Sequence, residues 1–272
     1  MDSTPVETRP ETSSAIQPVI EVRSITKRYG SVQALRDVSF AVNPNEVVGI
    51  VGDNGAGKST LVNILAGALQ PTSGTILVNG HETEFKSPTD AREAGIETVY
   101  QDLALAPDLS IWANLFLGRE RTVSGPLRFV GWLDRKSMME KSTTDLDRTR
   151  IRVSSVTAKV GRLSGGQRQA VAVGRAVAWG SRVILMDEPT AALGVEQQAK
   201  VGELIVNVRD QGLPVVLISH NLPQVYEICD RVVVLFHGRV IAELRPKDSS
   251  IDEIVAFITG SAILPTVGRK GA

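Results

Sequence analysis

The chain has 272 residues, enough for one large domain or two small ones. Thirty basic and thirty acidic residues cancel, so no net field draws it to nucleic acid or to an anionic membrane surface. No apolar stretch reaches the roughly 20 residues of a membrane span, and the single cysteine, Cys229, excludes an internal disulfide.

Residues 1–17 are rich in Ser, Thr, Pro and Glu and are expected to form a disordered leader. They lack the apolar stretch of a signal peptide. One domain is expected over 18–262, with a flexible tail at 263–272. Strands are predicted at 19–22 and 34–42, and a third at Val47–Val51. The third leads into Gly52-Asp53-Asn54-Gly55-Ala56-Gly57-Lys58-Ser59-Thr60, followed by the helical pattern Leu61-Val62-Asn63-Ile64-Leu65-Ala66. This strand, glycine loop and helix fill the spacing G-x-x-x-x-G-K-[ST] completely. Glycines let successive backbone N–H groups turn into one concavity, and the helix N-terminus adds partial positive charge. Lys58 would neutralise the β- and γ-phosphates of a nucleoside triphosphate, and the Ser59 hydroxyl would ligate Mg²⁺.

Further strands are predicted at 74–78 and 96–100, the latter leading to Gln101. From about 102 to 160 helical stretches punctuated by Pro107, Gly118, Gly125-Pro126 and Gly131 read as a helical insertion. Strands return at 183–186, Val215–Ile218 and 232–236, with helices predicted at 167–179, 195–211 and 223–229. Apolar runs alternating with helices predict a parallel α/β sheet. No internal repeat is visible. Cys229, set among Tyr226, Ile228 and Val232, reads as a buried small hydrophobe. His81 and His237 have no motif around them and are expected at the surface.

Two further motifs carry chemistry. Val183-Ile184-Leu185-Met186-Asp187-Glu188-Pro189 is an apolar strand ending in two carboxylates. Beside a phosphate loop, Asp187 takes the role of holding Mg²⁺. Strand neighbours alternate sides, so Glu188 is expected to point away from Asp187 as the base or orienter for an attacking water. Leu163-Ser164-Gly165-Gly166-Gln167 contains an S-x-x-Q capping box around two glycines. A capping box alone marks only a helix start; upstream of the Asp187-Glu188 strand it becomes specific, a second anion site without a lysine.

With these elements in this order, residues 19–260 resemble the ATP-binding cassette ATPases. The resemblance implies a P-loop NTPase fold, a RecA-like mixed or parallel sheet core, with an antiparallel β subdomain and a helical subdomain inserted at about 102–168. It implies a head-to-tail dimer in which ATP on the 52–60 loop of one subunit is covered by Ser164, Gly165, Gly166 and Gln167 of the other. In the same resemblance Tyr29 stacks on adenine, Gln101 reaches Mg²⁺ and the attacking water, and His220 contacts the γ-phosphate. Gly194 departs from the pattern, standing where an aspartate is usual after Ala191-Ala192-Leu193.

The stretch from Val99 to Glu120 resembles bacterial monosaccharide importers of the ribose, xylose and fructose type. Thr190–Val195 and Val255–Gly260 are similar to the single-cassette, fructose-type members. The resemblance implies an ATP-driven motor on the cytoplasmic face of the bacterial inner membrane, partnered by a transmembrane permease and served by a periplasmic sugar-binding protein. Two other readings compete: a soluble ATPase of the same family or a motor for a non-sugar substrate, and a nucleotide-binding regulator without turnover. A soluble ATPase would usually carry a second cassette or a long coiled-coil insertion, and neither is seen. The second would be expected to lose Glu188 or His220, and both are present.

Overall fold

Alternate residues of the central strands face opposite sides, and both sides are apolar, so each face of the sheet needs a cover. The computed structural model describes residues 17–125, 131–191 and 193–262. In chain order its elements are β1 (Ile20–Tyr29), β2 (Val32–Val42), β3 (Val47–Val51), α1 (Lys58–Leu65), β4 (Ser73–Val78), β5 (His81–Glu82), α2 (Pro88–Glu93), β6 (Ile96–Val99), α3 (Ile111–Leu115) and α4 (Arg135–Arg148). There follow α5 (Gly165–Trp179), β7 (Val183–Asp187), α6 (Val195–Asp210), β8 (Val215–Ile218), α7 (Leu222–Ile228), β9 (Arg231–Phe236), β10 (Arg239–Leu244) and α8 (Ile251–Ile258). The expected leader, apart from Gln17, and the expected tail at 263–272 lie outside the described residues.

Six strands form one sheet in the order β10-β9-β3-β8-β7-β6. The five from β9 to β6 are parallel, and β10 pairs antiparallel with β9. Val47, Val51, Met186, Val215 and Leu217 enter one apolar core with buried residues of α5, α6 and α7. Their neighbours Val48, Ile50, Leu185, Val216 and Ile218 enter a second core with α1 and residues of β1, β2 and β4. These side chains are essentially fully buried, each stabilising the fold by about 1.5–3 kcal/mol relative to exposure. The second sheet, β2-β1-β4-β5, is antiparallel. Arg231 joins the two, pairing with Glu46 at 2.7 Å and Glu243 at 2.6 Å while donating to the Ala41 carbonyl. Helices α3, α4 and α5 lie between β6 and β7, where the sequence breaks into helical stretches.

The predicted strand at 19–22 runs on to Tyr29. Ser24 takes φ 52°, and register shifts follow Val22, Ile25 and Lys27, so the two-residue alternation is interrupted and the strand is hard to read from sequence. The edge strand β10 was not predicted, and it is only partly buried along most of its length. Its link to β9 is His237-Gly238, with φ 46° and 77°, the geometry of a tight hairpin turn.

Candidate functional site

β3, β8, β7 and β6 are adjacent and parallel, so their carboxyl ends lie along one edge of the sheet. That edge is where ligands bind in open α/β sheets. β3 ends in the glycine loop, β8 precedes Ser219-His220, β7 ends at Asp187, and β6 leads through Tyr100 to Gln101. Residues spread over more than a hundred positions of sequence are thereby gathered on one rim.

The loop is shaped by close approach as much as by flexibility. A Cβ on Gly52 would lie 2.3 Å from the Leu235 carbonyl oxygen, whereas one on Gly55 (φ 78°) would meet nothing within 4 Å. The Ala56 amide closes a turn on the Asp53 carbonyl at 3.1 Å, and Asn54 N–H donates to Asp53 Oδ1 at 2.7 Å. Gly57 caps α1 without any side-chain acceptor, which leaves the first-turn N–H groups to an anion. Lys58 Nζ donates to the carbonyls of Gly52 at 2.7 Å and Asp53 at 3.0 Å. Ser59 is exposed and Thr60 half-buried beside it.

Asp187 is half-buried, and burial pushes its carboxyl above the usual range. The adjacent Glu188 carboxylate pushes the same way and the Lys58 ammonium opposes both, so the three charges share one field. Glu188 follows the end of β7 in left-handed backbone, φ 51°. Its orientation therefore comes from this turn and not from strand alternation. Its amide donates to the Ile218 carbonyl at 2.9 Å, and its Oε2 lies 2.7 Å from His220 Nδ1 and accepts from His220 N–H at 3.4 Å. Gln101 is exposed and borders a shallow hollow that Asp187 also lines.

Ser164 and Gln167 form the expected reciprocal cap. Ser164 N–H donates to Gln167 Oε1 at 3.0 Å, and Gln167 N–H donates to Ser164 Oγ at 3.3 Å. With Gly166 they line a cavity whose other walls come from α6 and residues 149–152, with no residue of the glycine loop. Gly165 fits closely, since a Cβ there would touch Leu193 Cδ2 at 3.4 Å. Tyr29, 50 % exposed, ends β1 on the antiparallel sheet with Lys27 Nζ 5.3 Å from its ring centre. His81 and His237 are exposed, and Cys229 is buried, its thiol pushed far up by desolvation.

Two features had no sequence signal. Gln198 Nε2 donates to the Leu193 carbonyl at 2.9 Å, and Gln198 Oε1 accepts from Asn221 Nδ2 at 2.9 Å. Thr190 Oγ1 donates to Gln224 Oε1 at 2.8 Å, and Gln224 Nε2 donates to the Gln198 carbonyl at 3.1 Å. This amide network ties the segment around Gly194 to the residue following His220. Gly194 caps α6, its N–H donating to Gln197 Oε1 at 3.1 Å. The other feature is Arg175, whose guanidinium reaches the turn after Gln101.

The family model for ABC transporters matches residues 35–191. The fructose import ATP-binding protein of Rhizobium meliloti is 47% identical over 91% of this chain and 96% of its own length. The xylose/arabinose import ATP-binding protein of Sulfolobus acidocaldarius is 47% identical over 90% of this chain and 95% of its own. A ribose import ATP-binding protein of Rhizobium meliloti is 38% identical over 91% of this chain, which spans 47% of that protein. Among solved structures, a nucleotide-free ATP-binding cassette from an ABC transporter superposes with a TM-score of 0.75 at 27% identity, covering 93% of this chain and 100% of that one. A dimeric cassette in a post-hydrolysis state, bound to ADP and phosphate, gives 0.67 at 26% identity, covering 84% of this chain and 98% of that one. A parallel sheet whose rim carries a glycine loop, paired carboxylates and a histidine thus coincides with a match over most of the chain, and the protein belongs to the ABC transporter family as an ATP-hydrolysing ATP-binding cassette.

Proposed function

We propose that this cassette powers the import of a monosaccharide through a membrane permease, working as a head-to-tail dimer of two copies. The reading is carried by one observation: near-half identity to sugar import ATP-binding proteins along almost the whole of both chains. Among the described residues no helix is long and apolar enough to cross a membrane. On the proposed reading the cassette acts as a peripheral subunit at the cytoplasmic face of the bacterial inner membrane, served indirectly by a periplasmic sugar-binding protein.

On this reading Gly52, Asp53, Asn54, Gly55, Ala56, Gly57, Lys58, Ser59 and Thr60 hold the triphosphate, and Tyr29 carries the adenine. The partner copy's signature, its counterpart of Ser164, Gly165, Gly166 and Gln167, closes over it. The donors near Lys58 fit Mg²⁺: a hydroxyl, an amide oxygen and one carboxylate, from Ser59, Gln101 and Asp187, are hard oxygen ligands. Among the described residues no cluster of three His, Cys, Asp or Glu forms a metal cage. Mg²⁺ suits such a site, since it is usually bound by one or two carboxylates, waters and substrate phosphates. When bound it neutralises charge on the phosphate oxygens. Glu188 orients and deprotonates the water, His220 meets the γ-phosphate, and Gln101 reaches that water and the site that would hold Mg²⁺.

On this reading the permease docks against the helical insertion. Tyr100, Leu115, Leu117, Arg119, Arg175 and Trp179 line a cavity of about 210 Å³ where β6, α3 and α5 meet, close to Gln101. Leu117, one of the lining residues, is 48 % exposed. The experiment is uptake of labelled fructose, ribose and xylose in a strain of the source organism lacking this gene. Uptake of one sugar should be lost, restored by the wild-type gene and not by Lys58→Ala. Unchanged uptake of all three would overturn the sugar assignment.

A further inference from the structure

Leu103 and Ala104 take left-handed backbone in succession, φ 61° and 45°, just after Gln101. Neither is glycine, so each resists this conformation. The Leu103 amide donates to the Tyr100 carbonyl at 2.9 Å, which closes the turn on one side. The two carbonyls both end on one side chain. Arg175 Nη2 donates to the Leu103 carbonyl at 2.9 Å, and Nη1 donates to the Ala104 carbonyl at 2.7 Å.

Arg175 is an unusual partner for a backbone turn. Burial lowers the pKa of its guanidinium, with Glu97 opposing. Among the described residues it makes no ion pair, and the nearby Glu97 carboxylate pairs with Arg119. Its surroundings are held in turn: Arg119 lies over the Trp179 ring at 4.9 Å, and Trp179 Nε1 donates to the Leu115 carbonyl at 2.7 Å. A partly buried fork aimed at two carbonyls acts as a template for the shape of the turn.

We propose that Arg175 is a positioning residue for hydrolysis: by holding the Leu103-Ala104 turn it sets where Gln101 stands relative to Asp187. The two share one hollow, bordered also by Ala104. Arg175 lies on α5, the helix that opens with the Ser164–Gln167 cap. Arg175 lies eleven residues beyond Ser164 along the chain, a rise of about 16.5 Å at about 1.5 Å per residue. A shift of α5 when the partner engages Ser164 would therefore reach Gln101 through two hydrogen bonds. One rigid helix links the neighbour's nucleotide to the chain's own.

The inference rests on the reading that Gln101 serves the nucleotide site, and the test separates the two. ATP affinity, kcat and thermal midpoint are measured on the full chain for Arg175→Gln, Arg175→Lys, Gln101→Ala and the double variant Gln101→Ala/Arg175→Gln. Arg175→Gln should lower kcat about 10- to 100-fold, the scale of misplacing a catalytic group by an ångström, with ATP affinity unchanged. Arg175→Lys should recover only part, since an ammonium cannot span two carbonyls in a fixed fork. It also carries the test if the glutamine variant does not fold. The double variant should be no slower than Gln101→Ala alone, because both changes break one path. Losses that multiply in the double variant, or an ATP affinity that falls in step with kcat, overturn the proposal while leaving Gln101's role intact. A Gln101→Ala chain with wild-type kcat overturns both.

Discussion

His220 Nδ1 stands 2.7 Å from Glu188 Oε2, joining the carboxyl ends of two neighbouring strands. Glu188 is the more buried partner, its side chain 15 % exposed against 68 % for His220. A carboxylate held this way has a fixed direction before water or phosphate arrives, which is what general-base catalysis requires. Glu188→Gln keeps the shape and removes the basicity. It should bind ATP as the wild type does and lower kcat by about 10²- to 10⁴-fold. His220→Ala should also lower kcat, by releasing the carboxylate from its set position. Phosphate release under single-turnover conditions, alongside equilibrium ATP binding, checks both. Wild-type turnover in Glu188→Gln would mean that another group takes the proton.

Asp187 stands at a cost to the fold. Its carboxyl is pushed up by burial and by Glu188, so its stabilising contribution is present below the ordinary aspartate range and is lost as pH rises through the raised value. Near neutral pH the buried charge destabilises the nucleotide-free chain. Asp187→Asn should therefore raise the melting temperature by about 1–3 °C at pH 7, a shift expected from less than 1 kcal/mol in a chain of this size. The gain should fade below about pH 4, where an unperturbed aspartate is itself largely protonated. The variant should also lose the extra stabilisation that ATP with Mg²⁺ gives the wild type. Thermal scans at several pH values test this, and a variant less stable than wild type at pH 7 would contradict it.

The glycines of the phosphate loop divide into two kinds. Gly52 packs against backbone, where an alanine methyl would meet the Leu235 carbonyl oxygen at 2.3 Å. Gly55 opens onto free space, with only its φ of 78° against a side chain. Gly52→Ala should destabilise the fold by about 2 kcal/mol or more, through overpacking. Gly55→Ala should cost about 1 kcal/mol of backbone strain, while weakening ATP binding by crowding the loop's mouth. Denaturant unfolding and ATP titration separate the two. Equal loss of stability in both would refute the distinction.

Most of the rim that forms the candidate site was legible because its residues sit in short motifs beside apolar runs. Val47–Val51 and Val215–Ile218 match β3 and β8 residue for residue, since fully buried strands read as uninterrupted β-branched and aliphatic runs. The cap of Ser164 and Gln167 was legible because it is local, spanning three residues. The turn at Glu188 was not, since nothing in Asp187-Glu188-Pro189 announces left-handed backbone at a glutamate. Arg175 was invisible for another reason. Its partners lie 71 and 72 residues away and are backbone carbonyls, which leave no mark on the sequence. The Gln198–Asn221 contact is silent in the same way, since amide side chains pair across 23 residues with no spacing rule to expose them.

On the proposed reading each phosphate loop is sealed by the signature of a second copy, and within one chain Ser164, Gly166 and Gln167 line a cavity that no glycine-loop residue enters. That sealing is tested most directly by the mass in solution of the Glu188→Gln chain with ATP and Mg²⁺, with and without an added Ser164→Arg. Glu188→Gln should run at twice the chain mass, and should return to single chains with ATP still bound when Ser164→Arg is added. A Glu188→Gln chain that stays single at every concentration while saturated with ATP would contradict it.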